Sequence, residues 1–187
     1  MTESTKKWDS KKLLDALIDH YGKFYYHLTN SFIYEWESDF FCLSKEGYAY
    51  EVEVKISRAD FRADFKKVNK HKILGSRGRI VTIPDFTGKY SLIKGKLVEA
   101  PHTYVRFVNG RTSSPNRFIY LAPVGVIPHD EVPEYAGLME IDHYGSIDTV
   151  IKPPFIHKHK NNLSKRLLEK FYWLYKNLLN QNSMKNG

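Results

Sequence analysis

The chain has a single cysteine, Cys42. An internal disulfide is therefore excluded, and with it the small secreted scaffolds that depend on disulfide staples. A lone thiol suits a reducing cytoplasm, and Cys42 reads as a small buried hydrophobe rather than a nucleophile. No apolar run approaches the roughly 20 residues of a membrane span, and the opening MTESTKKWDSKK has no apolar leader core. Internal repeats and low-complexity tracts are absent too. Acidic residues are in short supply: 21 Asp plus Glu stand against 29 Lys plus Arg, a formal net charge of +8. That deficit favours a polyanionic partner such as nucleic acid or an anionic membrane surface. What remains, 187 residues of which 42% are hydrophobic, is enough to bury the core of one domain spanning 1–187.

The most informative stretch runs from Tyr48 to Lys72. Its first ten residues alternate strictly, with Tyr48, Tyr50, Val52, Val54 and Ile56 on one face and Ala49, Glu51, Glu53, Lys55 and Ser57 on the other. Period two predicts a β-strand with one apolar and one chemically loaded face. Two carboxylates and an ammonium on one face are costly unless they meet water, each other or a metal. A helix over 58–72 follows directly, with Ser57 as N-cap and Asp60 at its third position. Phe61, Phe65 and Val68 would form its buried stripe, and Arg58, Arg62, Lys66, Lys67 and Lys70 its basic side.

Upstream, Asp9 or Ser10 caps a helix bearing Leu13, Leu14, Leu17, Ile18, Tyr21 and Tyr25 at helical spacing, with Gly22 as a point where it ends early or kinks. From about Ser31 to Leu43 the pattern becomes that of a strand, and a turn at Lys45-Glu46-Gly47 folds it back as a hairpin. This brings Asp39 beside the loaded face of the second strand. Downstream, residues 73–116 read as a β-rich insertion, with short runs at 80–83, 90–100 and 103–108. Phe118 to Pro123 suits a buried central strand, and Gly137 to Ile141 another. A final helix over 161–180 carries Leu163, Leu167, Phe171, Leu174 and Leu178 as its stripe.

Hydrolysis of a phosphodiester needs a divalent cation to activate water and offset charge on the phosphate. Mg²⁺ takes one or two carboxylates plus waters and substrate oxygens, and a nearby lysine can orient the attacking water or stabilise the transition state. Asp39, Glu53 and Lys55 supply this minimal set, with Glu37 and Glu51 as flanking candidates for a further ligand or supporting group.

Asp39, then fourteen residues on Glu53-Val54-Lys55, then a helix, resembles the PD-(D/E)XK nuclease superfamily. EVKISRADF at 53–61 and RFIYLAPVGVIPHDEVPEYAGLMEI at 117–141 resemble its MmcB-like, DNA-repair-associated branch and phage-encoded relatives. The resemblance covers 31–72 and 117–141; the segment 73–116 departs from it. Ser38-Asp39 replaces Pro-Asp, which costs little because the carboxylate, not the proline, would bind metal. The resemblance implies an α/β fold of restriction-endonuclease-like architecture, a mixed sheet flanked by helices. It also implies Mg²⁺-dependent DNA cleavage, with Mn²⁺ as a substitute, in the cytoplasm of a bacterium or a phage-infected host. Asp39 and Glu53 would hold the metal, Lys55 would be the catalytic lysine, and Glu37, Glu51 and Ser57 would lie around them. The partner is then DNA, gripped by Arg58, Arg62, Lys66, Lys67, Lys70, His71 and Lys72, without a membrane. A homodimer would serve coordinated double-strand cuts, though nothing in the sequence calls for one.

Each of these residues also has an ordinary reading. Charged residues on a strand face are commonly a solvated surface with cross-strand ion pairs. Asp60 and Asp64 read as a helix-start charge and a helix-surface partner of Lys67 or Arg. His71 suits a helix end, satisfying carbonyls. His157 and His159 read as solvated residues of a basic linker. Two other functions fit the same composition: a nucleic-acid-binding protein of this fold without turnover, and a phage or host protein-interaction module.

Overall fold

The computed structural model describes residues 8–21, 26–76, 90–93, 96–99, 114–160 and 163–185. Its first element, α1 (Ser10–Tyr21), is capped by Asp9, whose carboxylate accepts from the Lys12 N–H at 2.8 Å. Leu13 and Leu17 are its buried residues. Gly22 and Tyr25 of the helical pattern lie outside the described residues, and the next element is a strand not expected from the sequence, β1 (Tyr26–Ser31).

β2 (Ser38–Leu43) and β3 (Ala49–Val54) form the expected hairpin. Its turn closes through the Ser44 N–H donating to the Tyr48 carbonyl at 2.9 Å, with Gly47 at φ +86°. The first strand is shorter than its alternation suggests. Residues 32–37 bend between β1 and β2, and deliver Ile33, Tyr34 and Trp36 to the core.

After β3 the chain enters α2 (Arg58–Asp64). The Ser57 hydroxyl accepts from the Asp60 N–H at 3.1 Å, and the Asp60 carboxylate accepts from the Ile56 N–H at 3.2 Å. Instead of one helix to Lys72, the chain breaks at 65–67 and restarts as α3 (Val68–Gly75). Phe65 and Val68 are 37% and 66% exposed, whereas Phe61, Asp64, Lys70, Ile73 and Leu74 are buried. Apolar spacing fails as a guide here because the strand face beneath these helices carries carboxylates.

β4 (Tyr90–Ile93) and β5 (Lys96–Glu99) pair as a separate two-stranded sheet, within the expected β-rich insertion. The runs at 80–83 and 103–108 lie outside the described residues. The remaining elements are β6 (Arg117–Pro123), a 3₁₀ turn at His129–Glu131, β7 (Ala136–Ile141), β8 (Ile147–Ile151) and α4 (Ser164–Lys185). β6 and β7 match the two strands read from the sequence.

The main sheet has six strands in the order β1-β2-β3-β6-β7-β8. β3, β6 and β7 run parallel to one another, and the outer pairings are antiparallel. This is the mixed α/β architecture expected from the sequence. One face, with Phe40, Cys42, Val52, Val54, Ile119, Leu121 and Met139, packs on Leu13 and Leu17 of α1. The other, with Phe41, Phe118, Tyr120 and Leu138, packs on Phe61, Ile73, Leu74 and the start of α4. Burying each large apolar side chain stabilises by roughly 1.5–3 kcal/mol. The core is thus closed on both faces of the sheet.

Two further readings need correction. His157 is buried, with Nε2 3.1 Å from the Ser114 carbonyl and Nδ1 3.3 Å from Asn116 Nδ2. Of the apolar stripe expected for the final helix, Leu163, just before α4, and Leu167 reach the core, while Phe171, Leu174 and Leu178 are 44–55% exposed. No described helix is long and apolar enough to cross a membrane.

Candidate active site

The β2–β3 register sets Phe40 opposite Val52 and Phe41 opposite Glu51, so Asp39 and Glu53 share the face that carries Phe41 and Glu51. Glu51 and Glu53 are both fully buried there, and Lys55 is 4% exposed. The loaded strand face is therefore not a solvated surface. Lys55 lies one residue beyond β3, where its N–H donates to the Leu121 carbonyl of β6 at 2.8 Å. Asp39 is half-buried, and its Oδ2 accepts from the Val54 N–H at 2.8 Å.

The helices roof this face with charge rather than hydrocarbon. Lys55 Nζ lies 3.1 Å from Glu53 Oε2 and 3.5 Å from Asp64 Oδ1. Lys70 Nζ lies 2.5 Å from Glu53 Oε1 and 3.3 Å from Asp64 Oδ2. Lys67 reaches the same pair from the α2–α3 link, at 3.1 Å from Asp64 and 3.8 Å from Glu53. Tyr120 donates its hydroxyl to Asp64 Oδ2 at 3.2 Å. His71 Nε2 faces the Asp64 carbonyl at 2.9 Å and so carries the proton, leaving Nδ1 to accept from the Tyr135 hydroxyl at 2.6 Å. Three ammonium groups thus knit together two buried carboxylates, with Asp39 at the edge.

Titration behaviour follows from this packing. Burial pushes Asp39 up to about 6, and the Glu53 charge adds to the effect against the Val54 N–H bond. Burial also opposes ionisation of Asp64, but His71, Lys70, Lys55 and Lys67 overcome it and hold that carboxyl far below the usual range. Burial lowers Lys55 and Lys67, yet Glu53 and Asp64 outweigh it and keep both ammonium groups charged above their ordinary value. Glu51 behaves oppositely. Burial drives it up to about 8, although Lys70 pulls it down; the Glu53 charge reinforces the rise. Trp36 Nε1 donates to Glu51 Oε1 at 2.6 Å, whereas Glu51 Oε2 and Ser38 Oγ lack a well-aligned hydrogen-bond partner. The Ser38 hydroxyl is close enough only to favour the ionised carboxyl slightly.

Asp39, Glu53 and Lys55 therefore converge as the spacing suggested. The residues expected to grip phosphate divide into three sets. Lys70 is buried at 2% exposure and locked to carboxylates, and His71 is held between Asp64 and Tyr135, so neither presents itself to a ligand. Arg58 and Arg62 are exposed but ion-paired to Glu131, which they hold down to about 2. Lys66, Lys67 and Lys72 keep access to solvent. Glu37 is exposed before β2, and the Ser57 hydroxyl is spent on the helix cap.

Asp64 is the residue that the sequence reading misplaced, as a surface partner of Lys67. It does pair with Lys67, but from a fully buried position at the centre of the cluster. Its distance of three residues from Phe61 was the available signal, since i and i+3 share a helix face. Tyr120 and Tyr135 had no such signal, being embedded in apolar or turn sequence.

A metal would find two carboxylates here. Among the described residues no group of three or more His, Cys, Asp or Glu side chains is arranged to hold a metal ion. Mg²⁺ does not need one, because one or two carboxylates with water and phosphate suffice. The Glu53 charge also helps to raise Asp39, so the two carboxylates repel each other, and a cation between them would relieve that repulsion. Asp39 and Glu53 fit such a group chemically, although both Glu53 oxygens already face lysines.

No protein-family model matches the chain, and no curated protein matches it. Its structure is similar to that of a protein of unknown function from Silicibacter pomeroyi, with a TM-score of 0.57 and 17% sequence identity over 97% of this chain and 96% of that one. That likeness concerns the fold alone.

Proposed function

We propose that this chain is a divalent-metal-dependent nuclease that hydrolyses phosphodiester bonds in DNA, on a restriction-endonuclease-like fold. The convergence of Asp39, Glu53 and Lys55 where β3 ends, beside the parallel neighbour β6, is the observation that supports it. Ligand sites in open α/β sheets commonly lie beyond the carboxyl ends of parallel strands. Asp39 and Glu53 would hold Mg²⁺, or Mn²⁺ in its place. The ion would supply charge neutralisation at the phosphate and a more acidic water. Lys55, kept protonated by Glu53 and Asp64, orients the attacking water and offsets negative charge at phosphorus. Asp64, Lys70 and Tyr120 hold Glu53 and Lys55 in place. The setting would be DNA repair or processing, or phage DNA metabolism, in the cytoplasm.

One observation favours a second reading. Three lysines already balance the negative charge of Asp39, Glu53 and Asp64, so the cluster is electrostatically closed without a cation. A DNA-binding protein without turnover would have this property. Plasmid and single-strand cleavage in Mg²⁺, Mn²⁺ or EDTA, for wild type, Glu53→Ala and Lys55→Ala, separates the two. Metal-dependent cutting lost in both variants supports the nuclease; absent cutting with salt-sensitive DNA binding unchanged by Lys55→Ala supports the binder.

A further inference from the structure

The three lysines of the cluster are not equivalent. The Lys55 and Lys70 side chains are 6% and 1% exposed, whereas that of Lys67 is 48% exposed. Lys67 sits in the link between α2 and α3, outside either helix. Its 3.8 Å approach to Glu53 is the longest of the three ammonium contacts to that carboxylate. It also lines a cavity of about 430 Å³, together with Glu35, Trp36, Lys66, Asn69 and Lys70, so that three lysines stand there against one carboxylate. The Lys66 and Asn69 side chains are exposed there and make no hydrogen bond or ion pair among the described residues. Lys67 is therefore the one ammonium of the cluster with both a weak hold on Glu53 and somewhere else to go.

The electrostatics give that freedom a consequence. A dication held by Asp39 and Glu53 would lie within a few ångströms of the Lys67 ammonium, and like charges at such separations repel by several times thermal energy even under strong screening. An anion in the cavity acts in reverse, attracting Lys67 and vacating the space beside Glu53. Cation and anion would then each favour the other's binding, by the same factor in both directions.

We propose that a phosphate group of the substrate strand, seated in the Lys66–Asn69 cavity, draws Lys67 away from Glu53 and so opens Glu53 to the divalent cation. Metal loading is thereby coupled to substrate. The proposal rests on the metal-dependent reading above, and Lys67 acts in it as a positioning residue rather than a catalytic one.

The test is a titration of the full chain with Mn²⁺, reading free ion by electron paramagnetic resonance, for wild type, Lys67→Gln, Lys67→Arg and Glu53→Gln, with and without a short duplex oligonucleotide. Without DNA, Lys67→Gln binds Mn²⁺ about tenfold tighter than wild type, since one screened positive charge has gone. Lys67→Arg stays near wild type. Adding duplex tightens wild type towards Lys67→Gln, which itself hardly moves. Far-ultraviolet circular dichroism confirms folding, and Lys67→Gln keeps a hydrogen-bond donor of similar length. Equal Mn²⁺ affinity in wild type and Lys67→Gln, with loss in Glu53→Gln, overturns the coupling and leaves the metal site standing. Absence of Mn²⁺ binding in every chain overturns both.

Discussion

Lys70 Nζ lies 2.5 Å from Glu53 Oε1, and both side chains are 1% exposed. The same ammonium bonds Asp64 at 3.3 Å and sits 4.8 Å from the Phe118 ring centroid. A lysine that belongs by sequence to a basic helix side is, in the fold, the internal counter-ion of a strand carboxylate. Lys70→Ala leaves Glu53 and Asp64 short of one partner in a buried setting, which typically costs about 3–5 kcal/mol. Urea denaturation is expected to show a loss of that order. Lys66→Ala, on the exposed side of the same stretch, should stay within about 0.5 kcal/mol of wild type. Similar losses for both would contradict the structure.

Glu51 makes stability fall between about pH 4.5 and about pH 8. Its folded-state pKa, about 8, lies above the usual carboxylate value of 4.5, so the native state holds a proton that the unfolded chain releases. Its contribution is complete below pH 4.5 and is lost as pH rises through about 8. The slope is at most about 1.4 kcal/mol per pH unit for one proton. Glu51→Gln keeps an acceptor for Trp36 Nε1 and cannot ionise. Denaturation midpoints measured from pH 5 to 9 are expected to fall for wild type and to flatten for the variant, with Glu51→Gln the more stable chain above pH 8. Parallel curves would show that Glu51 is already ionised at neutral pH.

Gly137 on β7 packs directly against the chain at the end of β8. A Cβ there would meet Pro153 Cβ at 2.7 Å and the Ile151 carbonyl at 2.8 Å. Both neighbours are held, since Ile151 pairs with Leu138 in the sheet and Pro153 accepts from Arg117 at 2.7 Å. Gly137→Ala is therefore expected to cost about 1–3 kcal/mol, as overpacking does. A thermal melt suffices as the measurement, and an unchanged midpoint would mean the β8 end gives way freely.

Much of this arrangement is written in local pattern. Period-two alternation over 48–57 gave β3 and the identity of its loaded face, and the turn at Gly47 gave the hairpin that sets Asp39 near Glu53. The uninterrupted apolar run at 118–122 gave the central strand β6. Such features depend on neighbours two to four residues away, which a sequence displays directly. The helix break at 65–67 was not legible, because Phe61, Phe65 and Val68 keep helical spacing straight through it.

Whether a charge faces water or the interior is a different kind of question. Asp64 and Lys67, three residues apart on an amphipathic stretch, look like a solvated surface pair, and Lys70 looks like a phosphate contact. Their fate depends on what lies opposite, and that is β3, whose Glu53 is far enough in sequence that no local pattern links them. Only when β6 pairs alongside β3 and the two short helices fold over both does Glu53 lose water, and a carboxylate without water must recruit cations. The residue types and the strand that carries them were thus decided by the chain's own alternation. The closed cluster of Glu53, Lys55, Asp64 and Lys70, with Lys67 left at its open edge, was decided by long-range packing, because desolvation is a property of the assembled fold.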